Sequence, residues 1–376
     1  MALAQTTRDL VAVAREMSGA AEIAVDVEGD GFFRYRARLC TVQLATSDNV
    51  VVLDTLAIED LAPLAALLGS GGPPKVVHDA SFDARLLREA GIRLENVFDT
   101  SIAARFLSEQ ATGLSSLLSR HLGVEIDKGQ QQSDWGVRPL TPHALEYLEQ
   151  DVIHLLALAR LLRQRVEETG IAEEAAEECR YVLRRAMEEP PDPPPVWSRV
   201  KGWDQLDDMG LSVLREATSI REAEARRRDV PPFKVAGNAV LLDLARTRPA
   251  DVAAIARMRG MPRRGGGALA RMLAGAVREG TARGHVPEAE RAVLEGSAPP
   301  PAERAARRRR QNALSRWRTQ EAKARGVDPQ VVLPGHCLAD LVERGAEDVH
   351  ALQDLPGLGD CRVRRYGPQL VALCTG

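Results

Sequence analysis

Aromatic side chains are scarce in this chain, making up only 4% of it, so broad stacking platforms for single-stranded bases are not expected. Cysteine is sparse too. Cys40, Cys179, Cys337, Cys361 and Cys374 are odd in number, scattered, and form no CxxC pair. That pattern fits reduced thiols in a cytoplasm and argues against a disulfide framework or a zinc site. Long apolar runs are missing, and none is long enough to span a bilayer. The first ten residues, MALAQTTRDL, lack a basic start followed by an apolar core, so no signal peptide is expected. Coiled-coil heptads are also lacking, which makes a monomer the expected state.

With 376 residues, the chain is too long for one ordinary domain and predicts two or three. Hydrophobic residues at 44% suffice for a sizeable core. The net charge of −3 conceals a contrast. Residues 1–195 carry 19 Lys/Arg against 31 Asp/Glu, a balance of −12, whereas residues 196–376 carry 31 against 22, a balance of +9. An acidic first half suits cation binding, and a basic second half suits a polyanion such as nucleic acid.

The stretch Ile23-Ala24-Val25-Asp26-Val27-Glu28 reads as a short buried strand ending in two carboxylates. Residues i and i+2 of a strand face the same side, so Asp26 and Glu28 converge on one spot. Two such anions repel unless a cation sits between them, and hard divalent cations prefer oxygen ligands. A helix over 7–18, with Thr7 a possible N-cap, precedes the strand. A basic, aromatic loop follows it, Phe32-Phe33-Arg34-Tyr35-Arg36. Strands over 38–45 and 50–54 complete an antiparallel meander. Helices over 60–68, 81–90 and 100–107 then alternate with strands at 75–78 and 97–98, giving an α/β domain with helices over a mixed sheet.

His78-Asp79-Ala80-Ser81-Phe82-Asp83 lies at a strand-to-helix junction, where ligands gather in open α/β sheets. Asp83 falls in the first helical turn and is assigned to the chemistry; Asp79 is assigned to helix capping, a role Ser81 could share. In the loop 127–140, Trp135 and Arg138 could contact a nucleotide and a phosphate, or Trp135 could anchor the loop on the core. A long helix is predicted over 144–168. Its Tyr147 and Asp151 are spaced i, i+4 and share a face beside an apolar stripe, with His154 read as structural.

In chain order the set is Asp26-x-Glu28, Asp83 and Tyr147-x-x-x-Asp151. It resembles the three motifs of the DEDD superfamily of 3′→5′ exonucleases, in the subclass with tyrosine in the third motif. The segments Trp135-x-x-Arg138-Pro139-Leu140 and His78-x-x-x-x-Asp83 are similar to the ribonuclease D family. That resemblance implies a ribonuclease H-like exonuclease domain over 1–190. In it Asp26, Glu28, Asp83 and Asp151 would hold two Mg²⁺ or Mn²⁺ ions, Asp83 directly or through water. Tyr147 would orient the attacking water, and His78, Trp135 and Arg138 would meet the substrate. The implied substrate is RNA, including the 3′ ends of tRNA precursors and other structured RNA.

Pro190–Pro195 reads as a stiff linker. Residues 197–280 are helical in pattern, and Arg221–Pro231, Trp197–Gly202 and Ile255–Met261 resemble an HRDC domain, placed at 196–285. A second linker over 281–302 ends in Ala298-Pro-Pro-Pro301. Residues 303–376 repeat the HRDC-like order in degenerate form, closing with Leu352–Gly359 and Cys361–Gly367. Arg307–Arg310 is read as a basic helix start contacting RNA. Two rival functions share these motifs: a 3′→5′ DNA exonuclease, and a nucleic-acid-binding protein with a silenced nuclease domain. The basic loop at 34–38 and the three glutamines within 128–133 are departures from the ribonuclease D pattern that bear on substrate choice.

Overall fold

The computed structural model describes residues 1–127, 129–189, 194–263, 265–295 and 300–375. It divides into two compact units. One comprises Met1–Asp30, Arg38–Glu189 and Pro299–Gly376; the other comprises Gly31–Ala37 and Pro190–Ala298.

The first unit is built on a six-stranded sheet. Its strands are β1 (Ala2–Ala4), β2 (Ile23–Gly29), β3 (Leu39–Ala45), β4 (Val50–Asp54), β5 (Lys75–Val77) and β6 (Val97–Asp99), in the order β1-β4-β3-β2-β5-β6. β2, β3 and β4 form the expected antiparallel meander, while β2, β5 and β6 run parallel. Every residue of β3 and β4 is buried, which explains their near-continuous apolar runs. β1 is an addition, since three residues carry too little periodicity to read as a strand; it pairs parallel with β4.

Eight helices accompany the sheet: α1 (Thr7–Met17), α2 (Ala62–Leu68), α3 (Ala80–Glu89), α4 (Thr100–Phe106), α5 (Leu114–Leu122), α6 (Pro142–Ile153), α7 (Leu155–Glu168) and α8 (Ala172–Met187). Thr6, not Thr7, caps α1, in a reciprocal capping box with Asp9. The single helix expected over 144–168 is two helices that meet at His154. No Gly or Pro marks the break. α6 packs on β2, β3 and β4, whereas α7 packs on β5, α4 and α5, and the turn at His154 serves both.

The second unit contains α9 (Asp208–Arg228), α10 (Pro232–Val235), α11 (Asn238–Thr247), α12 (Val252–Ala256), α13 (Gly266–Arg283) and α14 (Glu288–Glu295). α9 and α13 form its centre. They approach so closely at Gly280 that a Cβ there would lie 2.5 Å from the Val213 Cα, which requires glycine. Trp197 is buried edge-on against Trp203 and donates from Nε1 to Glu290 at 2.8 Å. The loop Gly31–Ala37 belongs to this unit by its packing.

The chain ends in α15 (Pro301–Arg325), α16 (Pro329–Val332), α17 (Gly335–Arg344), α18 (Val349–Gln353) and α19 (Gly359–Thr375), which pack with the first unit. Their seat is α8. Arg362 of α19 is fully buried and donates to Glu177 Oε2 and to the carbonyls of Val331, Leu358 and Glu174. Arg325 and Arg365 both reach the buried Glu174. The expected linker over 281–302 contains the end of α13, all of α14 and the first two residues of α15, where Pro301 opens that helix at N1. Residues 190–193 and 296–299 of the two proline-rich stretches lie outside the described residues. The Arg307–Arg310 run is not one uniform basic surface. Arg310 donates to Glu303 and to the Val342 and Glu343 carbonyls, and Arg307 pairs with Glu303, leaving Arg308 and Arg309 exposed. Among the described residues, no helix is long and apolar enough to cross a membrane.

Candidate active site

The parallel strands β2, β5 and β6 end on the same side of the sheet, and the first motif residues gather there. Glu28 sits where the β2–β3 register shifts, between Glu28 and Gly29. Such an irregularity re-aims a side chain at the end of a strand. Gly29 lies at a close approach, where a Cβ would meet the Leu86 side chain at 2.8 Å and the Arg38 carbonyl at 3.0 Å. On α6, Tyr147 and Asp151 face back across β2.

Carboxylate oxygens of Asp26, Glu28 and Asp151 all lie within 4.8 Å of one another. Asp83, in the first turn of α3, is almost fully buried and lines the same cavity of about 400 Å³, outside that tight trio. Its Oδ2 has no hydrogen-bond partner among the described residues. Burial pushes Asp26 up to about 7. Glu28 is pushed up to about 9 by burial and by the charges of Asp26 and Asp151. Asp151 rises to about 8 through burial and Asp26, against a hydrogen bond from Tyr147 that favours its anion. Asp83 is held well above the carboxylate range by burial and by Asp26, Asp99, Asp79 and Glu28. A cluster this costly to ionise lacks a counter-charge. The donor set is all hard oxygen, and the orphaned Asp83 oxygen points the same way; the residues fit divalent Mg²⁺ or Mn²⁺.

Tyr147 is buried, and its phenol is raised above its ordinary value by burial and by Asp151, Glu28 and Asp26. Trp135 lies behind it, 2% exposed, with ring centroids 5.7 Å apart. Arg138 bridges both Asp54 oxygens, at 2.8 and 2.7 Å, and donates to the carbonyls of Trp135, Val137 and Cys40. Neither residue lines the cavity. Trp135 thus takes the loop-anchoring one of the two roles open to it and backs Tyr147, and the donors of Arg138 are taken up by Asp54 and by backbone carbonyls.

His78 does line the cavity. Its Nδ1 lies 2.9 Å from Thr100 Oγ1, whose own proton goes to the Val77 carbonyl, so Nδ1 is the donor. Burial lowers the imidazole pKa, against the pull of Asp99, Asp79 and a backbone hydrogen bond to Thr112. Asp79 is not a side-chain cap. It adopts the left-handed conformation, φ 68°, makes no capping bond and faces the cavity. Capping falls to the buried Asp99, which accepts from the backbone N–H groups of Asp79, Ala80, Ser101 and Ile102 and so secures the starts of α3 and α4.

Sequence reasoning missed three groups here. Phe82 is 49% exposed in the cavity wall, and the Val-Phe-Asp triplet containing Asp99 gave no sign of a double cap. Gln43 is fully buried on β3 directly opposite Asp26, with its Oε1 unpartnered among the described residues. An isolated polar residue in the apolar run Leu39–Ala45 was the available signal.

The comparisons with known proteins bear on this geometry. The family model described as a 3′-5′ exonuclease matches residues 1–167, and the HRDC domain model matches residues 210–266 and 308–374. Ribonuclease D of Gluconacetobacter diazotrophicus is 38% identical over 264 residues, covering 69% of this chain and 67% of that protein. The chain belongs to the ribonuclease D family. Ribonuclease D of Granulibacter bethesdensis is 34% identical over 260 residues, covering 68% of this chain and 65% of its own. The crystal structure of Escherichia coli RNase D, described as an exoribonuclease involved in structured RNA processing, superposes with a TM-score of 0.72. It covers 99% of this chain and 97% of its own at 23% identity, which speaks to the fold. Ribonuclease D membership makes the chain a hydrolytic 3′→5′ exoribonuclease of a divalent-metal-dependent family. Its sheet flanked by helices, followed by a helical HRDC region, is that family's architecture.

Proposed function

We propose that this ribonuclease D-family chain trims the 3′ ends of tRNA precursors and other structured RNA, releasing nucleoside 5′-monophosphates. The observation that supports this reading best is the Asp26–Glu28–Asp151 trio within 4.8 Å, with the orphaned Asp83 oxygen beside it. These four would hold two ions, Asp83 through water since it stands outside the trio. Bound divalent ions supply charge stabilisation to the attacking and leaving oxygens of an in-line displacement.

The chain's own residues do the rest. Burial and the neighbouring carboxylates hold the Tyr147 phenol above its ordinary value, so it would orient the attacking water by hydrogen bonding rather than act as a strong base. The water oxygen bonds to the terminal phosphorus as the P–O3′ bond breaks, leaving a new 3′-hydroxyl on the shortened RNA. Neutral His78, fixed by Thr100, presents the cavity wall with an uncharged hydrogen-bonding group for the terminal nucleotide.

The test uses 5′-labelled 3′-tailed tRNA and a matched DNA oligonucleotide, with Mg²⁺, Mn²⁺ or EDTA, for the wild type and Asp26→Asn. A ladder shortening from the 3′ end of the RNA, lost in EDTA and in the variant, is expected. Equal degradation of the DNA would replace the RNA assignment with a general 3′→5′ exonuclease. Binding of both without any cleavage would overturn the catalytic reading.

A further inference from the structure

We propose that Phe32 and Phe233 form a base-stacking site for single-stranded RNA within the helical unit. In a chain with only six phenylalanines, both are 57% exposed. They come from segments far apart in sequence that meet directly: Lys234 Nζ lies 4.2 Å from the Phe33 ring centroid. Each exposed ring is thus one residue removed from that contact.

Neither ring is needed to hold the loop. Phe33 packs under Lys234, and Tyr35 takes a hydrogen bond from Arg226 at 3.4 Å, with the guanidinium 5.5 Å from its ring, while its hydroxyl donates to Glu222 at 3.3 Å. Arg34 pairs with Asp229 at 3.0 Å, and Asp229 also accepts from the Tyr35 N–H. On the other side, buried Val235 seats α10. The packing is done by these neighbours, and Phe32 and Phe233 are left presented to solvent on an ordered backbone.

The surrounding charge suits phosphate. Asp229 is engaged by Arg34, Glu222 by Tyr35 and Arg221, and Glu224 by Arg227. Arg36 is exposed with no ion-pair partner among the described residues, Arg228 is exposed beside Glu224, and Lys234 and Arg226 rest on the Phe33 and Tyr35 rings, Arg226 also near Glu222. Surplus cations interleaved with exposed rings are what a single strand needs, since any base offers a face to stack and the backbone is drawn by charge. A duplex, with its bases already stacked, would gain only the electrostatic part.

The experiment is fluorescence anisotropy of the full chain with a short 5′-fluorescein oligoadenylate and with a blunt RNA duplex, both in EDTA. Phe32→Ala/Phe233→Ala is expected to weaken single-strand binding by about tenfold or more, with duplex binding and the melting temperature unchanged. Phe32→Trp/Phe233→Trp is expected to retain wild-type binding. Unchanged single-strand affinity in the alanine variant, an equal loss on the duplex, or failure of the tryptophan variant to bind would each overturn the proposal. Because binding is read without metal, a chain devoid of nuclease activity would still report on this site, so the two readings fail separately.

Discussion

Replacing Asp151 by Asn is expected to stabilise the metal-free protein while abolishing its activity. In the folded chain Asp151 is pushed up to about 8, by burial and then by Asp26. An unfolded aspartate ionises near ~3.9, and each unit of difference is worth about 1.4 kcal/mol. Between those limits the folded carboxyl holds a proton that the unfolded chain has released. Stability of the metal-free protein therefore falls as pH rises from about 4 to about 8, and this contribution is lost once the folded group ionises. Taken whole, the difference is roughly 5 kcal/mol. The group faces an open cleft and shares its protonation with Asp26 and Glu28, so about half, ~2–3 kcal/mol, is a fair expectation at about pH 8.

For a domain of this size that is a rise of roughly 5–10 °C in melting temperature. The gain should shrink to about 1 kcal/mol near pH 5, where less ionisation is at stake. Differential scanning fluorimetry in EDTA across this range, on wild type and Asp151→Asn, reads it directly. Magnesium at a hundredfold excess over its Kd should restore about 2.7 kcal/mol to wild type and much less to the variant. An Asn variant less stable than wild type in EDTA, or a difference flat with pH, would refute the argument that the carboxylates strain the empty site.

Three further outcomes follow from the buried ion pairs and caps. Arg362→Met strands Glu177 and three carbonyls, and should cost about 3–5 kcal/mol in urea unfolding; a loss under about 1 kcal/mol would mean the α8–α19 contact is not anchored there. Arg138→Ala should behave as a folding variant, losing a few kcal/mol as Asp54 is left uncompensated; a stable enzyme whose only change is a raised KM would restore it as a phosphate contact. Asp99→Ala removes caps from both α3 and α4, and should cost about 1–4 kcal/mol; an unaltered melting temperature would show that the backbone groups are satisfied otherwise.

What could be read from the residues alone was whatever recurs locally. Asp26 and Glu28 share a face because strands alternate, and Tyr147 and Asp151 share one because helices return every turn, so both pairs were legible before any fold was known. That the two pairs meet depends on α6 crossing β2, a long-range fact that no local periodicity carries. The same limit applies to the loop residues. Arg138 and Trp135 sit in a motif, but their partners Asp54, Cys40 and Tyr147 come from β4, β3 and α6, and only those partners decide that the pair faces inward. The division at His154 has no local breaker either; it arises because the first half of that stretch answers to the meander and the second to β5 and its helices. Likewise the basic loop after β2 could be noticed for its composition. What it packs against, Lys234 with Arg226, Glu222 and Asp229, lies some two hundred residues later in the chain, beyond any local pattern.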